Sequence, residues 1–401
     1  MVIIMKKHLL GADILLPKNN FENWSVIACD QYTSEPEYWK ETEKTAGEYP
    51  SAFNIILPEV YLQDDNSKAI EKINKTMSEY LESGVFDCYE DTCVYIERTL
   101  NNGKVRRGIL GLIDLEDYSY VKGSKTLIRA TEETVIERIP PRVNIRKAAP
   151  LELPHIMLLI DDPNNTVIEP LTNKTENFKK IYDFNLMQNA GSIKGYAIDE
   201  DSLESVQSSL EDLANASSDG FLYAMGDGNH SLASAKECYV QGMGPRYALA
   251  EVVNIHDSSL EFEPIYRVLF GVDPEKVIAD FVDSLGGEYS GEDAQKFICT
   301  YENIQKEISV KGTGKLCVAT LQTFLDKYIK GTEIKIDYIH GENSVFELTK
   351  KPNTLGFLFS GMEKCELFPA IIQDGSLPRK TFSMGHADDK RFYLEARKIA
   401  D

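Results

Sequence analysis

FLYAMGDGNHSLASAK, residues 221–236, changes character twice over a short span. Phe221 to Met225 is a largely apolar run that reads as a buried strand, and Leu232, Ala235 and Tyr239 recur at helical spacing. Between them, Gly226-Asp227-Gly228-Asn229-His230-Ser231 forms a sharp polar turn. A strand that stops in such a turn and restarts as a helix gathers backbone N–H groups and polar side chains at one point. Helix N-termini leave donors free and carry partial positive charge, so the turn suits a phosphate or carboxylate. The plainer alternative is local: Asn229 or Ser231 only caps the helix, and Asp227 makes an Asx-turn.

Outward from this point, Arg246 to Asn254 reads as a central strand. The strand–turn–helix–strand order over 221–254 fits a parallel crossover with the polar turn at a strand's C-terminal end. Upstream, Leu153 to Asp161 is a buried strand in which His155, beside Pro154, reads as a hydrogen-bonded structural histidine. Residues 193–199 form a short strand, and Asp201 to Ala214 a helix with Leu203, Val206, Leu210 and Leu213 inward. Between Lys125 and Lys147 lies the most basic region, with Arg129, Arg138, Arg142 and Arg146 among Glu132, Glu133 and Glu137. Pro140-Pro141 breaks any helix running through it. A helix starting at Pro141 sets Arg142 and Arg146 on one face. Guanidinium forks suit phosphate; the alternative is a solvated face in which these arginines pair with glutamates.

Near the start, Trp24 to Cys29 reads as a strand, Asp30 to Pro36 as a loop and Pro36 onward as a helix. Ser67 to Ser83 is a surface helix striped by Ile70, Ile73, Met77 and Leu81. Cys93 to Leu100 and Lys104 to Leu115 pair through an Asn102-Gly103 hairpin. Glu263 to Arg267 leads into a helix from Pro274 to Leu285. The remainder alternates: strand 316–321, helix 323–329, strand 334–340, helix 342–348, strand 355–359, helix 365–372. The polar tail carries Phe382, Met384, Phe392 and Tyr393, which suggests that it packs back onto the body. The fold class expected is mixed α/β and α+β, with multi-layer mixed sheets and helices around a central strand–turn–helix unit. Three units are expected: 1–120 (α+β), 121–270 (carrying the turn) and 271–401 (α/β with the tail).

Composition bounds the rest. Of 401 residues, 42% are hydrophobic and 27% charged, as in soluble globular proteins. No apolar run approaches the ~20 residues that span a bilayer, and the opening MVIIMKKHLLGADILLP lacks the order of a signal peptide. The expected setting is therefore cytoplasmic, with no membrane partner. The seven cysteines form no CxxC pair, which suits reduced thiols, and no metal site is expected. A net charge of −21 argues against nucleic-acid backbone as partner but not against a small-molecule anion in a basic pocket.

Seven segments occur in order: ACDQYTSEPEYW (28–39), IERIPPRVNIR (136–146), LELPHIMLLIDD (151–162), GDGNHSLASAK (226–236), FEPIYRVLF (262–270), DYIHGE (337–342) and LPRKTFSMGHAD (377–388). Together they resemble the bacterial and archaeal family called domain of unknown function 1015. That family's central motif, commonly Asp-Gly-His-His-Arg before a helix, is similar to the nucleotide-site motif of the ParB/sulfiredoxin superfamily, which includes an ADP-dependent free serine kinase. The resemblance implies a ParB-like unit in which the turn and helix N-terminus hold nucleotide phosphates, with ATP or ADP and magnesium as cofactors. Asp227, Gly228 and His230 match that motif, whereas Asn229 replaces a histidine and Ser231 the arginine. Without that arginine, positive charge must come from elsewhere in the chain.

Two functions remain in view. One is a nucleotide-dependent phosphotransferase acting on a small hydroxylated metabolite such as free serine; the other is a non-catalytic regulatory protein binding a small anion or nucleotide. For the first, Asp227 or Glu132 is the candidate base and His230 a contact to phosphate or hydroxyl. Gly226, Gly228, Asn229 and Ser231, with Arg142, Arg146, Arg246, Arg379 and Lys380, are the candidate anion-binding set. Asp30, Gln31, Glu35 and His386 are further candidates for the same cleft.

Overall fold

A computed structural model of the protein describes residues 6–121 and 123–400. The chain forms two compact units that interleave along the sequence. The first comprises 1–130, 134–260 and 386–401, and the second 131–133 and 261–385. These limits differ from the three consecutive stretches expected, because the tail after 385 returns to the first unit's sheets.

The first unit is built on a nine-stranded mixed sheet. Across it, Lys179–Asn185, Ser192–Ala197, Val94–Thr99, Val105–Asp114 and Tyr247–Asn254 run antiparallel to their neighbours. Met157–Ile160 follows, parallel to Tyr247–Asn254. Tyr223–Asp227 comes next, antiparallel to Met157–Ile160, and then Ile128–Arg129 and Tyr118–Ser119, both parallel to it. Side chains alternate between the faces of such a sheet. Tyr95, Ile109, Ala250 and Val252 pack on one face with helix residues Val143, Leu210 and Leu232. Val94, Ile96, Leu110 and Leu249 pack on the other with Trp24, Trp39, Ile73 and Met77. Both faces are therefore covered, and the interior strands read as apolar runs.

Tyr247–Asn254 is central, as expected, but the parallel crossover is corrected. Met157–Ile160 occupies the place between Tyr223–Asp227 and Tyr247–Asn254, so those two strands run in opposite directions. All four residues of Met157–Ile160 are buried, which suits an interior position. The tail does pack back: Phe392–Tyr393 pairs with Val26–Ile27, and Arg397–Lys398 with Leu151–Glu152. The strand expected over Trp24 to Cys29 shrinks to Val26–Ile27, since Phe21–Trp24 is a helical turn.

The second unit carries an antiparallel sheet in the order Ile304–Lys311, Ala294–Tyr301, Thr354–Phe359, Phe262–Phe270, Lys335–His340. Phe382–Met384 adds to the first residues of Phe262–Phe270. The layered strand–helix alternation expected here is corrected on two counts. Residues 317–321 lie in a single helix, Cys317–Tyr328, whose Val318, Leu321 and Leu325 are buried at helical spacing. The hairpin 294–311, with Glu302 and Asn303 at positive φ in its turn, supplies two strands instead. No helix among the described residues is long and apolar enough to cross a membrane.

Candidate functional site

The polar turn projects from the first unit's sheet where three strand ends meet. Tyr223–Asp227 lies between Met157–Ile160 and Ile128–Arg129. Its C-terminal end therefore sits beside the residues preceding Met157 and those following Arg129. Gly228 turns the chain at φ 77°, ψ 25°, the left-handed region that glycine enters without a Cβ penalty. A Cβ there would lie 2.9 Å from Ile156 Cα, so glycine is required by space as well as by backbone conformation. Asp227 Oδ1 accepts the Gly228 N–H at 2.8 Å. The helix runs Asn229–Val240 with Gly228 as its cap residue, so neither Asn229 nor Ser231 caps it.

Each polar side chain of the turn reaches a different neighbour. The Asn229 amide donates to Thr134 Oγ1 at 3.1 Å, and its carbonyl accepts from Tyr118 Oη at 3.3 Å. His230 Nε2 accepts the Val135 N–H at 3.3 Å. Ser231 Oγ lies 3.3 Å from His155 Nε2, and His155 Nδ1 lies 2.9 Å from Tyr393 Oη. Asp227 Oδ2 lies 3.4 Å from Lys390 Nζ, both side chains mostly buried. Lys390 is thus a cation borrowed from the tail, standing at the head of a helix whose first turn has no arginine of its own.

Asp30 belongs to the same neighbourhood. Burial acts to raise its carboxyl, but His155, the Gln31 amide, its own backbone N–H and Lys390 together hold it below the usual carboxylate range. An anionic Asp30 therefore faces a histidine and a lysine of the turn's surroundings. Beside it, burial first and the Asp30 charge second push the Cys29 thiol up to about 11. Burial likewise raises the Tyr393 phenol well above its ordinary value, so it stays protonated.

The remaining candidates are placed as follows. Glu35 is exposed and precedes the helix Pro36–Ala46. His386 opens a short turn whose Asp389 carboxylate accepts the His386 N–H at 3.0 Å. Arg142 pairs with Glu59, Arg146 with Glu152 at 2.5 Å and Arg246 with Asp114 at 2.6 Å. Arg142 and Arg146 thus have glutamate partners, although Glu59 and Glu152 come from outside the basic region. Glu132, Arg379 and Lys380 belong to the second unit. Burial raises the Glu132 carboxyl despite backbone N–H groups of Lys380 and Thr381 donating to it. Carbonyls of Arg379 and Lys380 accept from the buried Arg267 guanidinium.

His155, Lys390, Tyr393, Tyr118 and Thr134 were not singled out as site residues by the sequence. A lone histidine before an apolar strand and a lysine in a polar tail carry no local spacing signal; only the tail's aromatic residues hinted that it returns.

Among the described residues, no three His, Cys, Asp or Glu side chains gather as a metal cage. Magnesium bound with a nucleotide needs fewer, since it keeps waters and phosphate oxygens and takes one or two protein carboxylates. Asp227 and Asp30 have the chemistry to supply them. The N–H groups at the head of Asn229–Val240, together with Lys390, fit phosphate oxygens.

A family model described as "Protein of unknown function (DUF1015)" matches residues 12–395. No curated protein matches the chain by sequence. Among solved structures, a conserved hypothetical protein from Pyrococcus furiosus is 13% identical, with 72% of this chain and 94% of that chain covered and a TM-score of 0.38. A free serine kinase in complex with AMP is 11% identical, covering 73% and 92%, with a TM-score of 0.40. SbnI with a C-terminal truncation, from Staphylococcus aureus, is 9% identical over 69% and 82%, with a TM-score of 0.38. Likeness of this degree stops short of residue-by-residue equivalence.

Proposed function

The chain belongs to the family of proteins of unknown function DUF1015, and we propose that its first unit is a nucleotide-dependent phosphotransferase. In this reading a nucleoside di- or triphosphate sits on the Asp227–Ser231 turn, and a small hydroxylated metabolite, such as free serine, receives the phosphoryl group. The observation that carries it is Lys390 beside Asp227 at the head of Asn229–Val240, 3.4 Å away. Phosphoryl transfer needs donors to place phosphates, a cation to take up charge and a base for the acceptor hydroxyl. The helix N–H groups, Lys390 and Asp227 offer these three at one point. Magnesium arriving with the nucleotide supplies further charge neutralisation. Asp30, held ionised by its neighbours, offers a second carboxylate within the same charge cluster.

A second reading, binding without transfer, has an observation in its favour. Arg142, Arg146 and Arg246 are each engaged by a carboxylate, as Lys390 is by Asp227, so none of these cations stands ready to take up the charge that builds in transfer.

Thermal unfolding with ATP, ADP, CTP and GTP plus magnesium tests nucleotide binding. Ligand at 100 times its dissociation constant stabilises by ~2.7 kcal/mol. Lys390→Ala is expected to weaken that nucleotide about tenfold or more, the size of one charge-assisted contact. Flat melting curves with every nucleotide sink both readings as nucleotide functions. A shift with no nucleotide turnover across a panel of hydroxylated metabolites leaves the binding protein alone.

A further inference from the structure

We propose that Ser231 is a nucleophile whose hydroxyl proton is taken by His155, so that a phosphoryl group passes through Ser231 Oγ. A serine hydroxyl within a helix commonly either faces solvent or bonds the carbonyl one turn back. Ser234 does the latter in the same helix, donating to the His230 carbonyl at 2.7 Å. Ser231 turns instead to a different element, meeting His155 Nε2 at 3.3 Å. A nucleophile, a base in reach of it and a third group orienting the base form the geometry of an activated hydroxyl.

The third group is Tyr393. Its ring stands edge-on to the imidazole with centroids 5.5 Å apart, and its Oη lies 2.9 Å from His155 Nδ1. Tyr393 is itself fixed, being 4% exposed on the strand paired with Val26–Ile27. The protons can be followed through this chain. The Tyr393 hydroxyl donates to Cys29 Sγ at 3.1 Å, and the Cys29 backbone N–H reaches Tyr393 Oη at 3.4 Å. In this proposal the phenol proton stays directed at Cys29 Sγ, so that the phenol oxygen accepts from His155 Nδ1–H. That assignment places the lone pair of His155 on Nε2, facing Ser231, which is the tautomer a base requires. The Asp30 carboxylate, which interacts electrostatically with His155, compensates the imidazolium formed when the proton arrives. His155 is 7% exposed, so that compensation is little screened by solvent.

In the first step Ser231 Oγ bonds to the terminal phosphorus of a phosphoanhydride donor, and the serine proton moves to His155 Nε2. The bond from that phosphorus to its bridging oxygen breaks, and the electron pair leaves with the shortened nucleotide. In the second step an acceptor hydroxyl oxygen attacks the same phosphorus and passes its proton to Asp227. The P–Oγ bond then breaks, and Ser231 recovers its proton from His155. The identity of the donor rests on the nucleotide reading above; the nucleophile does not.

The test uses the full chain and a fluorophosphonate probe, with which Ser231 Oγ–P forms, P–F breaks and fluoride leaves, followed by peptide mass spectrometry. Labelling is expected on Ser231, absent in Ser231→Ala and slowed about tenfold or more in His155→Gln. If His155→Gln fails to fold, Tyr393→Phe replaces it; loss of the Nδ1 partner should slow labelling while the variant melts cooperatively. An unlabelled Ser231 in folded wild-type protein, or labelling as fast in both folded variants as in wild type, overturns the nucleophile. A second arm incubates the protein with ATP or ADP and magnesium and looks for phosphoserine at 231. Probe labelling without phosphoserine from either nucleotide overturns the phosphoryl relay and leaves only a reactive serine. Absence of any nucleotide-dependent melting shift separately overturns the proposed function.

Discussion

At the scale of single residues, Asp30 converts the site's electrostatics into a pH dependence. Its folded-state carboxyl is depressed, with burial opposing and His155, Gln31, its backbone N–H and Lys390 prevailing. A depressed carboxyl contributes stability that is fully present above its unfolded value, ~3.9, and is lost as pH falls through the folded value. Asp30→Asn should therefore be less stable than wild type near neutrality, and the gap should close as the solution is acidified below about pH 4. Urea denaturation of both proteins over a pH series measures this. A gap that stays constant with pH refutes the assignment. Several of the residues at this scale were legible in the sequence. Asp227, Gly228, Asn229, His230 and Ser231 announced themselves by clustering between a strand and a helix. Lys390 and Tyr393 did not, because they come from the far end of the chain to reach Asp227 and His155.

At the scale of elements, a densely charged group of the first unit lies buried inside it. Arg98 and Arg106 face each other on adjacent strands and donate to the carbonyls of Asp388 and Asp389. Burial first and the facing Arg106 second pull Arg98 down to about 9. Nearby, Arg391 joins Glu251 and Glu395, and Tyr182 donates to Glu395. Gly108 lies beside Glu251 on the neighbouring strand, and a Cβ there would lie 2.6 Å from Glu251 Oε1, so a side chain at 108 would force Glu251 to shift. Removing one member of a buried ionic group leaves the others uncompensated, so Arg391→Met should cost about 3–5 kcal/mol in urea denaturation. A loss below about 1 kcal/mol, the value of a surface pair, shows that solvent reaches the group. Helical periodicity located Ser67–Glu82, Glu200–Ala216 and Pro274–Ser284 to within a residue or two at most ends. It was masked at the start of Cys317–Tyr328. Leu316, Val318 and Thr320 alternate like a strand, yet Val318, Leu321 and Leu325 form the buried stripe of one helix. Strand direction was beyond the sequence, since nothing local states that Met157–Ile160 enters between two strands flanking a helix.

At the scale of the whole molecule, residues from His386 onward complete the first unit rather than extend the second. Leu394 accepts a hydrogen bond from Trp24 Nε1 at 2.8 Å, and Phe392–Tyr393 is the only strand paired with Val26–Ile27 among the described residues. Both tryptophans of the chain, Trp24 and Trp39, are fully buried in this unit, so their fluorescence reads it selectively. Deleting residues 386–401 should red-shift the emission and remove the first unit's cooperative transition. A truncated chain that keeps blue emission and a cooperative melt overturns this account. The interleaving also explains why the expected units follow different limits, since no composition shift marks a chain that leaves a unit and comes back.

This return has a consequence during synthesis. The second unit's main stretch, 261–385, emerges from the ribosome in one piece and can close its antiparallel sheet at once, whereas the first unit must wait. Until Lys390, Arg391 and Tyr393 are translated, Glu251 lacks the Arg391 guanidinium, His155 lacks the Tyr393 phenol and Asp227 lacks the Lys390 ammonium. A nascent chain stalled before residue 386 thus has every strand of the nine-stranded sheet translated but lacks the contacts that hold the unit and its turn together. Under the proposed function, nucleotide binding waits until translation has reached the tail.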